Sequence, residues 1–183
     1  SGNGTIDGGA GTDTLILDYS SYNYGNYGVY NTSGNTVRAY YGSSLIASYS
    51  NIERFNITGT QFNDTLQGSE GDTLDGGGGT DRLTLNLGNA TSAVSIDFTQ
   101  TSDQIAYKNT KVSNFETVEK ITTGTGDDII KLNVSASSGN GTIDGGAGTD
   151  TLILDYSSYN YGNYGVYNTS GNTVRAYYGS SLI

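Results

Sequence analysis

Apolar and polar residues alternate in short bursts along this chain: DTLILDY (13–19), TVRAYY (36–41), RLTLNL (82–87), AVSIDF (93–98) and DIIKLNV (128–134). Each burst is bounded by Gly, Asn or Ser, and a period of two turns alternate side chains to one face, so the pattern predicts short β-strands. NTSGNTV (31–37) gathers turn-forming residues between two apolar stretches and predicts a hairpin or tight turn. No stretch sustains helical periodicity beyond two turns, and SNFETVEKI (113–121) comes nearest. The expectation is an all-β fold.

The bursts belong to a repeat. Residues 1–46 are identical to residues 138–183, so the sequence holds one full period, 1–137, and the start of the next. The simplest reading is a stretch of a tandem array. Within the period a weaker half-repeat runs over 7–74 and 75–143, the second half passing into the next period. Asp7, Asp75 and Asp144 each precede a glycine-rich motif. Further along, NIERFNITGTQFNDTL (51–66) answers TVEKITTGTGDDII (117–130), an alignment that sets Glu53 against Glu119, Arg54 against Lys120 and Asp64 against Asp128.

Composition limits the chemistry. The 183 residues include 28 glycines but no Cys, His, Met, Trp or Pro, which excludes disulfides, zinc sites built on Cys or His, and Ser-His or Cys-His nucleophile pairs. With 18 acidic against 8 basic residues the net charge is −10, which argues against nucleic acid and anionic membrane as partners and for cations. No apolar segment has the length of a membrane span, so no membrane insertion is expected. The carboxylate pairs Asp97/Asp103 and Glu116/Glu119 are formally available for sugar hydrolysis. They sit among ordinary polar residues, and no catalytic residue is assigned.

GGAGTDTLI occurs at 8–16 and again at 145–153, with GGGGTDRLT at 76–84 and TGTGDDIIK at 123–131. Glycines reach positive φ and let backbone oxygens approach a ligand, the aspartate adds a carboxylate, and the aliphatic residue starts a strand. Leu15, Leu83 and Leu152 are the expected inward anchors. One such turn offers too few oxygens for a hard cation that takes about six to eight, whereas two stacked turns supply enough. The pattern resembles the RTX, or haemolysin-type, calcium-binding nonapeptide, G-G-x-G-x-D-x-(aliphatic)-x. Matches are full at 8–16, 76–84 and 145–153; Thr123 replaces a glycine at 123–131, 58–67 carries one extra residue and 68–75 lacks one.

The resemblance implies a calcium-bound parallel β-roll, or β-solenoid, with β-rich inserts, and several Ca2+ ions per period. It nominates Asp13, Asp81 and Asp150 as ligands, then Asp64, Asp72 and Asp128, with carbonyls of Gly9, Gly11, Gly77, Gly79, Gly146 and Gly148. Asp64 and Asp81 should share one edge, with Asp72 on the other; the longer step from Asp128 to Asp150 predicts a missing, weakened or differently occupied site. It also implies type I secretion to the cell exterior or surface, with folding linked to calcium there.

The favoured function is therefore a structural repeat of a fibre, surface layer, matrix or adhesin stalk, partnered by neighbouring repeats and open to self-assembly. The insert from Tyr19 to Tyr49 is rich in tyrosine, including Tyr22, Tyr24, Tyr27, Tyr30, Tyr40 and Tyr41. Tyrosine joins an apolar face to a polar tip, so a glycan- or surface-binding module is the alternative. Ice binding, for which the TGT triplets at 58–60 and 123–125 are the hint, or an accessory role beside a polysaccharide-modifying enzyme, stands behind both.

Overall fold

The computed structural model describes residues 4–23, 27–32, 36–41, 44–133, 141–155, 164–169, 173–178 and 181–182. Every helix or strand among them is a strand: β1 (Gly4–Asp7), β2 (Thr14–Asp18), β3 (Tyr27–Thr32), β4 (Thr36–Tyr41), β5 (Ser44–Ser50), β6 (Arg54–Thr58), β7 (Thr65–Ser69), β8 (Thr73–Asp75), β9 (Arg82–Asn86) and β10 (Ser95–Asp97). They continue as β11 (Ile105–Ala106), β12 (Lys111–Ser113), β13 (Thr117–Thr122), β14 (Ile129–Asn133), β15 (Thr142–Asp144), β16 (Thr151–Asp155), β17 (Tyr164–Thr169), β18 (Thr173–Tyr178) and β19 (Ser181–Leu182). The alternating bursts of the sequence thus become β2, β4, β9, β10 and β14.

Three sheets carry the glycine turns. Strands β1-β5-β4-β3-β7-β9-β13-β15 form the first, β2-β6-β8-β12 the second and β11-β10-β14-β16 the third. The ladders next to the turns are parallel: Ile57 pairs with Leu74 between β6 and β8, and Leu66 with Leu83 between β7 and β9. From β6 to β9 the chain therefore alternates between two sheets and returns to each after 17 residues, the separation of Asp64 from Asp81. Inward leucines and isoleucines fill the space between. Ile57, Leu66, Leu74, Leu83, Leu85 and Ile121 are all buried, each burial contributing about 1.5–3 kcal/mol before entropy.

The tyrosine-rich insert joins the first sheet. Strand β3 runs antiparallel to β4 from Tyr27↔Tyr41 to Thr32↔Thr36, as NTSGNTV predicts, and the same register returns from Tyr164↔Tyr178 to Thr169↔Thr173. On its flanks β5 lies parallel to β1, and β3 parallel to β7. Tyr49 is buried, with Tyr19 Oη at 3.5 Å from its hydroxyl, whereas Tyr22 and Tyr41 are exposed. Tyr24 and the side chains of Tyr27, Tyr30 and Tyr40 lie outside the described residues.

SNFETVEKI, the nearest approach to a helical pattern, forms no helix, and one expected anchor is exposed. SNFETVEKI ends in strand β13, and a register shift between Val118 and Lys120 marks a bulge. The extra residue sets the buried Val118 and Ile121 three apart, which, with the buried Phe115 just before the strand, imitates helical periodicity. Leu152 is 39% exposed, while Leu83 is fully buried and Leu15 packs at the margin of the core. Leu152 pairs with the buried Ile130, but β16 ends its sheet, so among the described residues no following strand covers it. Among the described residues no helix is long and apolar enough to cross a membrane.

Candidate metal centre

The turn at 76–81 links β8 to β9. Gly77 and Gly79 have φ of 90° and 119°, a region that residues with a Cβ enter only under strain. A methyl group on Gly77 would also lie 2.1 Å from the carbonyl oxygen of Thr60, because this turn sits directly on the turn at 59–64. Gly9, Gly11, Gly146 and Gly148 share the positive φ, so all six nominated glycines lie in the region that favours glycine.

Carboxylates tie successive turns together. Asp13 N donates to Glu53 Oε2 (3.0 Å), Phe55 N to Asp72 Oδ1 (2.8 Å) and Asp64 N to Asp81 Oδ1 (2.7 Å). Asp81 N donates to Glu116 Oε2 (2.8 Å), Val94 N to Asp128 Oδ1 (2.8 Å) and Asp128 N to Asp150 Oδ1 (3.1 Å). In each bond the amide belongs to the earlier turn and the carboxylate to the later one. Asp64 and Asp81 thus meet on one edge, while Asp72 serves the other. The step of 22 residues from Asp128 to Asp150 does not separate their turns, which are also joined by Thr149 N donating to Asp127 Oδ1 (2.8 Å).

The second oxygen of each carboxylate divides the nominees. Asp64 Oδ2 accepts from Thr60 N (2.5 Å) and Thr60 Oγ1 (2.8 Å), and Asp72 Oδ2 from Ser69 N (2.7 Å) and Ser69 Oγ (3.2 Å). Those turns are closed on themselves. Asp13, Asp81 and Asp128 instead leave Oδ2 buried with no hydrogen-bond partner. Asp150 is exposed. A buried carboxylate oxygen without a partner costs at least about 1–3 kcal/mol, so an open turn is unfavourable until a cation or proton arrives. At Asp81 burial pushes the carboxyl up to about 8, with the charges of Asp64, Glu116 and Asp75 adding to it and the Asp64 amide opposing. Burial also raises Asp72, against hydrogen bonds from Phe55 and Ser69.

Glu53 and Glu116 were not among the nominated ligands, and the alignment of Glu53 with Glu119 is superseded. The recurring feature is Ser-Asn-x-Glu, at 50–53 and 113–116. Asn51 and Asn114 both have positive φ, and their side-chain amides donate to Asp7 Oδ1 (2.8 Å) and Asp75 Oδ1 (2.7 Å). The bulge after Val118 adds one residue and hides this match from an ungapped comparison.

In each pair weighed for sugar chemistry, one carboxylate has another engagement. Partial burial would raise Asp97, but hydrogen bonds from Thr99 and Gln100 and the Lys131 charge hold it below the usual carboxylate range. Glu116 holds the Asp81 amide. The TGT triplets form no flat face: Thr60 and Thr123 are buried in turns, with Thr60 bonded to Asp64 and Thr123 Oγ1 to the Gly145 carbonyl (2.8 Å).

Hard cations suit these turns. Among the described residues no three acidic side chains gather into a ready ligand cluster, so a cation at Asp81 would draw most of its oxygens from backbone carbonyls. Parallel ladders, stacked glycine turns and open buried carboxylates together define a cation-binding repeat module. More particularly, the chain carries RTX calcium-binding nonapeptide repeats, whose family model matches in four copies over residues 1–18 and 58–91. RTX nonapeptide repeats bind calcium. Residues 138–155 have the same sequence as residues 1–18. Such repeats are typical of type I secreted proteins. Neither the curated proteins nor the solved structures gave a significant match.

Proposed function

We propose that this chain is a stretch of a secreted, calcium-stabilised tandem β-roll that supplies structural length to an extracellular fibre, surface layer, matrix or adhesin stalk. The supporting observation is one segment in two environments, since residues 4–18 and 141–155 have identical sequences. In the first copy, β1 and β2 pair with β5 and β6, Gly8 N donates to the Ser50 carbonyl (3.0 Å) and Asp13 N to Glu53 (3.0 Å). In the second, β15 and β16 pair with β13 and β14, and Asp150 Oδ1 accepts from Asp128 N (3.1 Å). The motif aspartate uses its amide in one copy and its carboxylate in the other.

These two sets of bonds do not compete for atoms. A copy inside an array can hold both neighbours at once, so the β14–β16 ladder of one period leads into the β2–β6 ladder of the next. Length then grows with repeat number, as in other solenoids. Calcium would be held by the open oxygens of Asp13, Asp81 and Asp128, with glycine carbonyls completing the sites, and Asp150 would contribute where its turn adjoins that of Asp128. Extracellular calcium modules work at about 10⁻⁴ to 10⁻³ M, which permits export of an unfolded chain and folding outside.

Small-angle scattering from chains of one, two and four periods tests this reading. In calcium the maximum dimension should rise by a constant step per period, and chelator should abolish the rod. Compact particles whose length does not follow repeat number would contradict it.

A further inference from the structure

We infer that the aspartate two residues before the second motif glycine, Asp75 and its counterparts Asp7 and Asp144, is a positioning residue that keeps the motif carboxylate open to a cation. The inference rests on the calcium reading above. Gly77 N donates to Asp75 Oδ1 (3.0 Å), Gly9 N to Asp7 Oδ1 (3.1 Å) and Gly146 N to Asp144 Oδ1 (3.1 Å). Each aspartate lies outside the nonapeptide, at the end of the preceding strand.

The neighbouring turn shows the alternative. Thr58 pairs with Asp75 in register and takes its place. Thr60 takes the place of Gly77, and its amide, with no aspartate to receive it, turns to Asp64 Oδ2 (2.5 Å), where the Thr60 hydroxyl joins it (2.8 Å). A buried amide must find an acceptor, so where it goes decides whether the motif carboxylate is free. In turn 76–81 it goes to Asp75, and the fully buried Asp81 retains an unpartnered Oδ2.

Asn114 Nδ2 fixes Asp75 by donating to the same Oδ1 (2.7 Å), and Asn51 does so for Asp7 (2.8 Å). The Ser-Asn-x-Glu turns thereby act on the cation site through the positioning aspartate. Asp128 also leaves Oδ2 without a partner, with Gly124 at the Gly77 position and the Thr123 hydroxyl donating to the Gly145 carbonyl (2.8 Å).

The test is calcium titration calorimetry on the full chain, paired with urea unfolding in chelator. Asp75→Ala should weaken one site by about tenfold or more, the usual effect of losing an outer partner, while the metal-free chain loses little stability, because Gly77 N can turn to Asp81 although Asn114 Nδ2 loses its acceptor. Asp75→Asn retains the Oδ1 acceptor and should restore affinity to within about threefold of wild type. Thr58→Asp combined with Thr60→Gly should add one bound calcium. Equal losses for Asp75→Ala and Asp75→Asn would overturn the inference by making charge or direct ligation the cause. So would a double variant that gains no site although the wild type binds calcium. A wild type that binds none would overturn the calcium reading itself.

Discussion

The turns at 59–64 and 76–81 are stacked neighbours, 17 residues apart, and they treat a buried aspartate in opposite ways. TGTQFND places a threonine amide and hydroxyl on Asp64 Oδ2, so that turn needs nothing further. DGGGGTD sends the corresponding amide away to Asp75 and leaves Asp81 Oδ2 bare. A hydroxyl and a redirected amide thus separate a self-sufficient turn from one that leaves a buried carboxylate oxygen open. By analogy with Asp64, the Ser69 contacts make the Asp72 turn self-sufficient as well.

Both turns rest on one core, and the largest effects should not distinguish them. Leu66→Ala and Leu83→Ala, at registered and fully buried positions, should each cost about 2–5 kcal/mol in urea unfolding, with or without calcium. Unequal costs that track calcium would show that the core itself depends on the metal. Gly77→Ala comes next. It forces a Cβ at φ of 90° against the Thr60 carbonyl, so at least about 1–3 kcal/mol should be lost, whereas Gly78→Ala, whose Cβ would make only ordinary contact with Gln61, should change stability by less than about 0.5 kcal/mol.

Removing the carboxylates should then split the pair. Asp64→Ala leaves the Thr60 amide and hydroxyl without their acceptor and should cost about 1–3 kcal/mol even in chelator. The smallest and most specific effect is on pH dependence. In chelator, folded Asp81 holds its proton up to about pH 8, while the unfolded chain releases it near the ordinary 3.8. This contribution to stability is full below about pH 4 and is lost as pH rises towards about 8. Asp72 acts in the same direction, and Asp18 and Asp97, held low, act in the opposite one below about pH 4. The metal-free chain should therefore unfold at lower urea at about pH 8.5 than at about pH 5, and Asp81→Asn should flatten that difference.

Much of this was legible in the residues. Period-two alternation located β2 and β9, and the spaced glycines of GGGGTD foretold positive φ at Gly77 and Gly79, because both signals are local. Stacking of Asp64 on Asp81 followed from their spacing once it was set against the two-nonapeptide coil that the resemblance implies. The division into open and closed turns did not, because it depends on whether one amide reaches Asp75 or Asp64 across a fold. Glu53 and Glu116 escaped for a related reason: Ser-Asn-x-Glu repeats plainly at 50–53 and 113–116, but the likeness of Glu53-Arg54 to Glu119-Lys120 drew the match to the wrong glutamate. The exposure of Leu152 is a property of its place at the end of a sheet, which residue type does not carry.

The most direct test of the central claim is to count calcium ions bound by the full chain and by its Asp81→Asn and Asp64→Asn variants in equilibrium dialysis. The account predicts that Asp81→Asn loses an ion and that Asp64→Asn keeps the wild-type count, because only the first removes an open oxygen. Loss of an ion from Asp64→Asn alone, or equal loss from both, would contradict it.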